Sequence, residues 1–191
     1  AWRFNLRYGN TSPPKFTAII SHSDEDHYGG FNKLFTYQKN YKQLLRFEKV
    51  LHNGMIEESG SHYNTLGKIV ADNQGIDITD LCDTHESFQE RLKNAKKPGR
   101  YLKLLEKVNA PIESLKLDDG IIYNEDGLKI EVLGPVVRQV QGKDALPVLD
   151  SNKGRTKNGH SIVLKLSIGN LRLLLGGDLN STSEAYLFNC F

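Results

Sequence analysis

The most constraining stretch of this chain runs from residue 162 to residue 178. Ile162, Leu164, Leu166 and Ile168 alternate with other residues, the period of a half-buried strand. Gly169-Asn170 is a two-residue hairpin signal, and Leu171 to Leu175 forms the return strand. Gly176-Gly177-Asp178 follows directly, so this hairpin delivers a carboxylate at a strand end.

The other elements are weaker. Phe16 to Ile20 and Phe47 to Leu51 read as strands, and Leu128, Ile130 and Val132 alternate as a third. A short helix is expected from Phe31 to about Tyr37. Asp83 and Glu86 have capping-box spacing ahead of Phe88, Leu92 and Ala95, which share a helical face. Tyr101, Leu104, Leu105 and Val108 make a second such face, stopped before Pro111. Ser181 and Glu184 are spaced as a cap for a last helix. Ile56 to Ile76 and Arg138 to Asn158 show no clear period and are expected to be loops. The second carries Lys143, Lys153, Arg155 and Lys157, and loops of that length are often functional or mobile.

The 191 residues fit one domain, residues 1–191, with enough chain to bury a real core. The net charge of +2 excludes affinity for nucleic acid through overall charge, though not a local basic groove. No apolar run approaches the ~18 residues of a membrane span, and no signal peptide is visible. Cys82 and Cys190 read as thiols of a reducing compartment, and with no export signal visible a cytoplasmic location is expected.

Chemistry concentrates in Ser21-His22-Ser23-Asp24-Glu25-Asp26-His27-Tyr28-Gly29-Gly30. Five of the six residues from His22 to His27 are acids or metal ligands. Residues two apart in an extended loop point the same way, so His22 and Asp24 can hold one ion. Asp26 and His27 can turn toward a second. Imidazole with carboxylate suits Zn²⁺, Mn²⁺ or Fe. The bland alternative is a polar turn with acids favoured at a helix N-terminus, which leaves the two flanking histidines unexplained.

This segment resembles the His-x-His-x-Asp-His signature of the metallo-β-lactamase superfamily, with Asp24 where the second His usually stands. That variant is similar to the ComEC-like (competence protein) branch. Asn158-Gly-His160-Ser161-Ile-Val-Leu and Leu173-Leu-Leu-Gly-Gly-Asp178 are similar to that branch's Asn-x-x-Ser strand and Gly-Asp strand end. The resemblance implies an α/β protein with an αββα sandwich and two divalent ions, Zn or Mn, at one edge. By position, His22 and Asp24 bind the first ion, Asp26 and His27 the second, and Asp178 bridges them. His160 is the candidate third ligand of the first ion, with Asn158 or His160 facing substrate as the alternative.

The family also carries a Gly-x-Gly-Asp before the first motif and a late His-His-Gly-Ser segment. Neither lies between Ala1 and Phe191, so a partial domain is expected. The implied activity is metal-assisted hydrolysis, with Asp26 also orienting the water or taking its proton. Asp24 hardens the first site, which favours phosphodiester substrates, DNA among them, over thioesters, lactones or β-lactams. Asn158, Ser161 and Lys157 are the expected substrate contacts. Lys153 and Arg155 are further phosphate-binding candidates, and Thr156 a hydrogen-bond donor. A non-catalytic binding module of the same fold is the alternative from another functional class. His52 is a candidate for the site edge. His62 is expected to be solvated and His85 to sit near a helix cap.

Overall fold

A computed structural model describes residues 15–40, 46–60, 62–73, 75–108 and 110–191. It is mixed α/β, with three sheets. The strands β1 (Lys15–Ile19), β2 (Arg46–His52) and β5 (Ile112–Ser114) form a parallel sheet. A second, antiparallel sheet runs β11 (Leu171–Leu175), β10 (Val163–Ile168), β7 (Leu128–Gly134), β6 (Ile121–Glu125). The third, also antiparallel, runs β3 (Lys68–Asp72), β4 (Gly75–Thr79), β9 (Lys143–Pro147), β8 (Arg138–Val140). Among the described residues there are five α-helices: α1 (Glu25–Asn40), α2 (His85–Asn94), α3 (Arg100–Leu105), α4 (Lys153–Gly159) and α5 (Ser181–Phe188). Among the described residues no helix is long and apolar enough to cross a membrane.

Strand alternation sets the layers. Ala18, Ile20, Val50 and Ile112 join one core cluster with Phe88, Tyr101, Leu102, Leu104 and Leu105 from α2 and α3. Their neighbours Ile19 and Leu51 point the other way, against Leu115, Val132, Ile162 and Leu164. The parallel sheet is therefore apolar on both faces, as crossover sheets are. Full burial of one such Leu or Ile contributes about 1.5–3 kcal/mol. The two sheets meet at the site end, where the Ile162 amide donates to Ser21 O at 2.9 Å. That bond sets the entrance to β10 beside the exit from β1.

The expected 162–175 hairpin forms, with Ile168 opposite Leu171 and Leu166 opposite Leu173. Four expectations are corrected. The first helix begins at Glu25 instead of near Phe31, because the Tyr28 amide already donates to Asp24 O at 3.1 Å. Glu25 and Asp26 in that first turn suit the positive end of the helix dipole, and Gly29 and Gly30 lie inside it. The Ile56 to Ile76 stretch is not all loop. It contains β3 and the start of β4, masked because Asp77 faces inward and meets Arg138 through two hydrogen bonds of 2.5 Å. The Arg138 to Asn158 stretch is a hairpin followed by α4. Gln141 and Gly142 both take positive φ (54° and 75°), the two-residue turn that matches strand twist. Both caps are one residue off. Thr84 pairs with Ser87, and Asn180 with Ser183, each side-chain oxygen accepting the amide three residues on. Asp83 instead accepts from Ser114 Oγ at 2.8 Å.

Candidate metal centre

His22 leaves the end of β1, His27 sits in the first turn of α1, and Asp178 follows β11. Their ligand atoms lie within 4.8 Å of one another. The two imidazoles are 4.1 Å apart between centroids. Asp178 faces each through a different oxygen. Oδ1 is 3.0 Å from His27 Nε2, and Oδ2 is 4.0 Å from His22 Nε2. The remaining acids flank the pair. Asp24 Oδ2 is 3.4 Å from His22 Nε2, and Asp26 Oδ2 is 3.8 Å from His27 Nε2. Asp26 is otherwise turned to solvent, its side chain 79% exposed.

The hydrogen bonds of Ser161 suit one His22 tautomer. A serine hydroxyl has one proton and two acceptor sites. Ser161 Oγ donates to Asn158 O at 2.8 Å and accepts the Asp178 amide at 3.2 Å. At His22 Nδ1, 3.2 Å away, it is therefore the acceptor, and Nδ1 carries the proton. Nε2 is then a bare lone pair. It is buried and without a hydrogen-bond partner, and it faces two carboxylates. A lone pair set against anionic oxygens is repulsive unless a cation lies between them. Separations of about 3–3.5 Å are those of neighbouring ligands on a tetrahedral ion with bonds near 2.1 Å. The donor set fits a divalent metal. Burial, followed by the charge of His27, holds His22 below the ordinary imidazole range, which also keeps it a neutral ligand.

Ser21 and Gly177 support this arrangement, and neither is an expected site residue. Ser21 Oγ is 3.1 Å from Nδ1 of both His22 and His27. Such partners on the far ring nitrogen orient metal-bound histidines. Gly177 has φ of +57°, and a Cβ there would lie 2.8 Å from Ser161 Cβ and Oγ. The second glycine of Gly-Gly-Asp is thus what lets β11's exit approach Ser161. The only sequence signal for Ser21 is its place before His22, and hydroxyls beside turns are too common to single one out.

Lys157 is buried in α4 and pairs with Asp24 and with Glu57 Oε2, the latter at 2.6 Å. Burial alone pulls its pKa down, but the bonds to Asp24 and Glu57 outweigh that and raise it. The Asn158 side chain, set with its nitrogen toward Asp24, donates to Oδ2 at 2.8 Å and to Gly154 O at 2.9 Å. Asn158, Ser161 and Lys157 therefore contact His22 and Asp24 directly. The other basic residues of this stretch are also paired, Lys153 with Glu57, Arg155 with Asp150 and Lys143 with Asp80. Thr156 closes the Asp150 turn through its hydroxyl.

His160 is not brought to the cluster. Its ring is buried and its Nε2 is 2.7 Å from Pro147 O, so it ties α4 to the end of β9. The expectation of a third histidine ligand is corrected: the ring turns to the β9 side while its neighbour Ser161 turns to His22. His52 is likewise internal, with Nε2 3.0 Å from Cys82 O. Burial lowers both pKa values to about 4. His62 is exposed, and His85 Nδ1 accepts the Ile112 amide.

Comparison with protein-family models, with curated proteins and with solved structures gives no match for this chain.

Proposed function

We propose that the chain is a metal-dependent hydrolase of phosphodiester bonds, built as a metallo-β-lactamase-like αββα domain of the ComEC-like branch. The observation that carries this reading is the unpartnered, buried His22 Nε2 set against Asp24 and Asp178. Asp178 presents one oxygen to each histidine, which suits a bridging carboxylate. In this reading His22 and Asp24 hold one ion, Asp26 and His27 a second, and Asp178 both. A pair of Zn²⁺ or Mn²⁺ ions would supply Lewis acidity to the reacting phosphate and lower the pKa of water near it.

The chain's own residues divide the remaining work. Ser21 and Ser161 hold the histidines in one tautomer and orientation. Lys157 and Asn158 hold Asp24 in place. Asp26, the most exposed of the acids, is the one free to orient a water or take its proton. The carboxylates favour hard divalent ions, and hard ions suit phosphate oxygens, which supports a phosphodiester, with DNA as a candidate substrate.

The test is elemental analysis of the purified chain after incubation with Mn²⁺ or Zn²⁺ and desalting, followed by hydrolysis of bis(4-nitrophenyl) phosphate. The expected result is close to two ions per chain and turnover that disappears in Asp178→Ala. Bound metal without any turnover of phosphodiesters would leave the non-catalytic module as the better reading. No bound metal would sink the site itself.

A further inference from the structure

Beside the metal centre lies a cavity of about 250 Å³ whose lining includes Ser23, Tyr28, Glu57, Glu58, Arg100 and Tyr101. Ser23 stands between His22 and Asp24 in the chain, and Glu57 is the residue that shares Lys157 with Asp24. The cavity is thus continuous with the site through both its backbone and its ion pairs.

Its polar character is unusual. The Ser23 and Tyr101 hydroxyl oxygens are buried and have no hydrogen-bond partner among the described residues. These residues are 4% and 2% exposed. A buried hydroxyl without a partner is costly, and such groups commonly mark a place where a ligand or water completes the bond. The charged groups of the cavity already have partners. Glu57 is held by Lys153 and Lys157, Glu58 by Arg91, and Arg100 by Glu25. The rings of Tyr28 and Tyr101 adjoin, with centroids 5.1 Å apart. Burial raises both phenol pKa values, so both remain neutral.

A cavity with its charges neutralised does not select a phosphate. Its size is below the about 300–1,000 Å³ of sites for drug-sized ligands, which limits it to a single ring. We propose that this cavity is the subsite for a neutral, hydrogen-bonding ring of the substrate, the sugar or base of a nucleoside next to the scissile phosphodiester. Tyr101 and Ser23 are its specificity-determining hydroxyls. This assignment rests on the phosphodiesterase reading above and narrows its substrates to nucleoside-bearing esters.

The test compares three chromogenic esters on the metal-loaded chain: bis(4-nitrophenyl) phosphate, thymidine 5′-monophosphate 4-nitrophenyl ester, and the abasic counterpart of the second. The expected ratio of kcat/KM for the thymidine ester to that for the bis-aryl ester falls about fivefold in Tyr101→Phe, the effect of one hydrogen bond, and through KM. Ser23→Ala moves the ratio the same way. If the abasic ester shows the same fall, the sugar is the ring held. If only the thymidine ester does, the base is. Tyr101→Phe removes a hydroxyl with no protein partner, so its thermal midpoint holds or rises. A lowered midpoint, or a ratio unchanged in both variants, overturns the proposal.

Thymidine titrated into the isotope-labelled chain separates the two readings. Shifts at the Ser23, Glu58 and Tyr101 amides, weakened in Tyr101→Phe, support the subsite even where no ester is hydrolysed, in which case the hydrolase reading alone fails. No shift at those amides overturns the subsite, whatever the hydrolysis result.

Discussion

Ser161 spends its only proton on the Asn158 carbonyl and so accepts from His22 Nδ1, 3.2 Å away. This relationship turns a hydroxyl near a strand start into the group that bares His22 Nε2. Ser161→Ala is expected to weaken divalent metal binding by about 10–100-fold, the usual cost of losing a ligand's outer partner. It also strips acceptors from buried donors, at a cost of about 1–3 kcal/mol in stability. Metal titration and urea unfolding measure the two effects separately. Lost stability with metal affinity intact would contradict the tautomer assignment.

Gly177 tests the same contact from the other side. A methyl group there meets Ser161 at 2.8 Å and Ser21 Cβ at 3.1 Å, on a backbone with positive φ. Gly177→Ala is expected to destabilise the chain by at least about 1 kcal/mol through conformation alone, and to reduce metal affinity by displacing both serines. Gly142→Ala is the control. It has φ of +75° but open space around it, so it shares the conformational cost and leaves metal binding intact. Equal metal affinity in the two variants would remove Gly177 from the site.

Lys157 is expected to matter to folding more than its position beside the site suggests. Lys157→Met leaves Asp24 without its cation, and leaves Glu57 with Lys153 alone. Both carboxylates are partly exposed, so the loss is set at about 2 kcal/mol, below the 3–5 of a fully buried pair. Glu57→Gln keeps Lys157 on Asp24 and is expected to cost less. Chemical denaturation at neutral pH ranks the two. The reverse order would mean that Asp24 does not depend on Lys157.

How much of this was legible in the sequence follows from where each signal originates. The 162–175 hairpin and the strands around Val50 and Val132 were readable because apolar alternation follows directly from having one or two buried faces. The strands β4 and β8 were not, because their inward residues Asp77 and Arg138 are charged and satisfy each other. Helix α4 was invisible because it buries Thr156, Lys157 and Gly159 in place of an apolar stripe. At the site, the clustering of His22, His27 and Asp178 was expected from the family resemblance, and their ligand atoms do lie within 4.8 Å of one another. His160 was misplaced because spacing specifies neither which way a ring turns nor which carbonyl it will meet. Ser21 contacts its near neighbours His22 and His27 but is one hydroxyl beside a turn among many, and Glu57 acts through contacts far apart in sequence, which no local pattern encodes.

Acid should weaken the fold through two histidines remote from the cluster. His52 and His160 are buried, and burial lowers each from 6.5 to about 4. Their folded pKa lies below the unfolded one, so the unfolded chain binds more protons between those limits. The stability they permit is fully present above about pH 6.5 and is lost as pH falls toward 4. A gap of this size corresponds to about 3 kcal/mol per residue at its limit. Urea midpoints at pH 7 and pH 4.5 measure the drop. His52→Gln and His160→Gln are each expected to shrink it, and an undiminished drop in both would contradict the assignment.

The edge strand β11 carries the last expectation. Leu171, Leu173, Leu174 and Leu175 are all exposed, Leu174 at 66%, and β11 pairs only with β10 within its sheet. A hydrophobic edge with free backbone groups is a template for pairing with another chain. The one basic residue on it, Arg172, is tied back to Gly169 O and Leu171 O and guards the edge poorly. The chain is therefore expected to self-associate at micromolar to millimolar concentration, roughly the range in which unpaired strand edges aggregate. Leu174→Lys places a charge on the edge and should shift sedimentation toward the monomer. Its effect on stability should stay within about 0.5 kcal/mol, because an exposed side chain loses little packing. A wild-type chain that sediments as a monomer throughout that range would show that twist or side-chain cover already protects the edge.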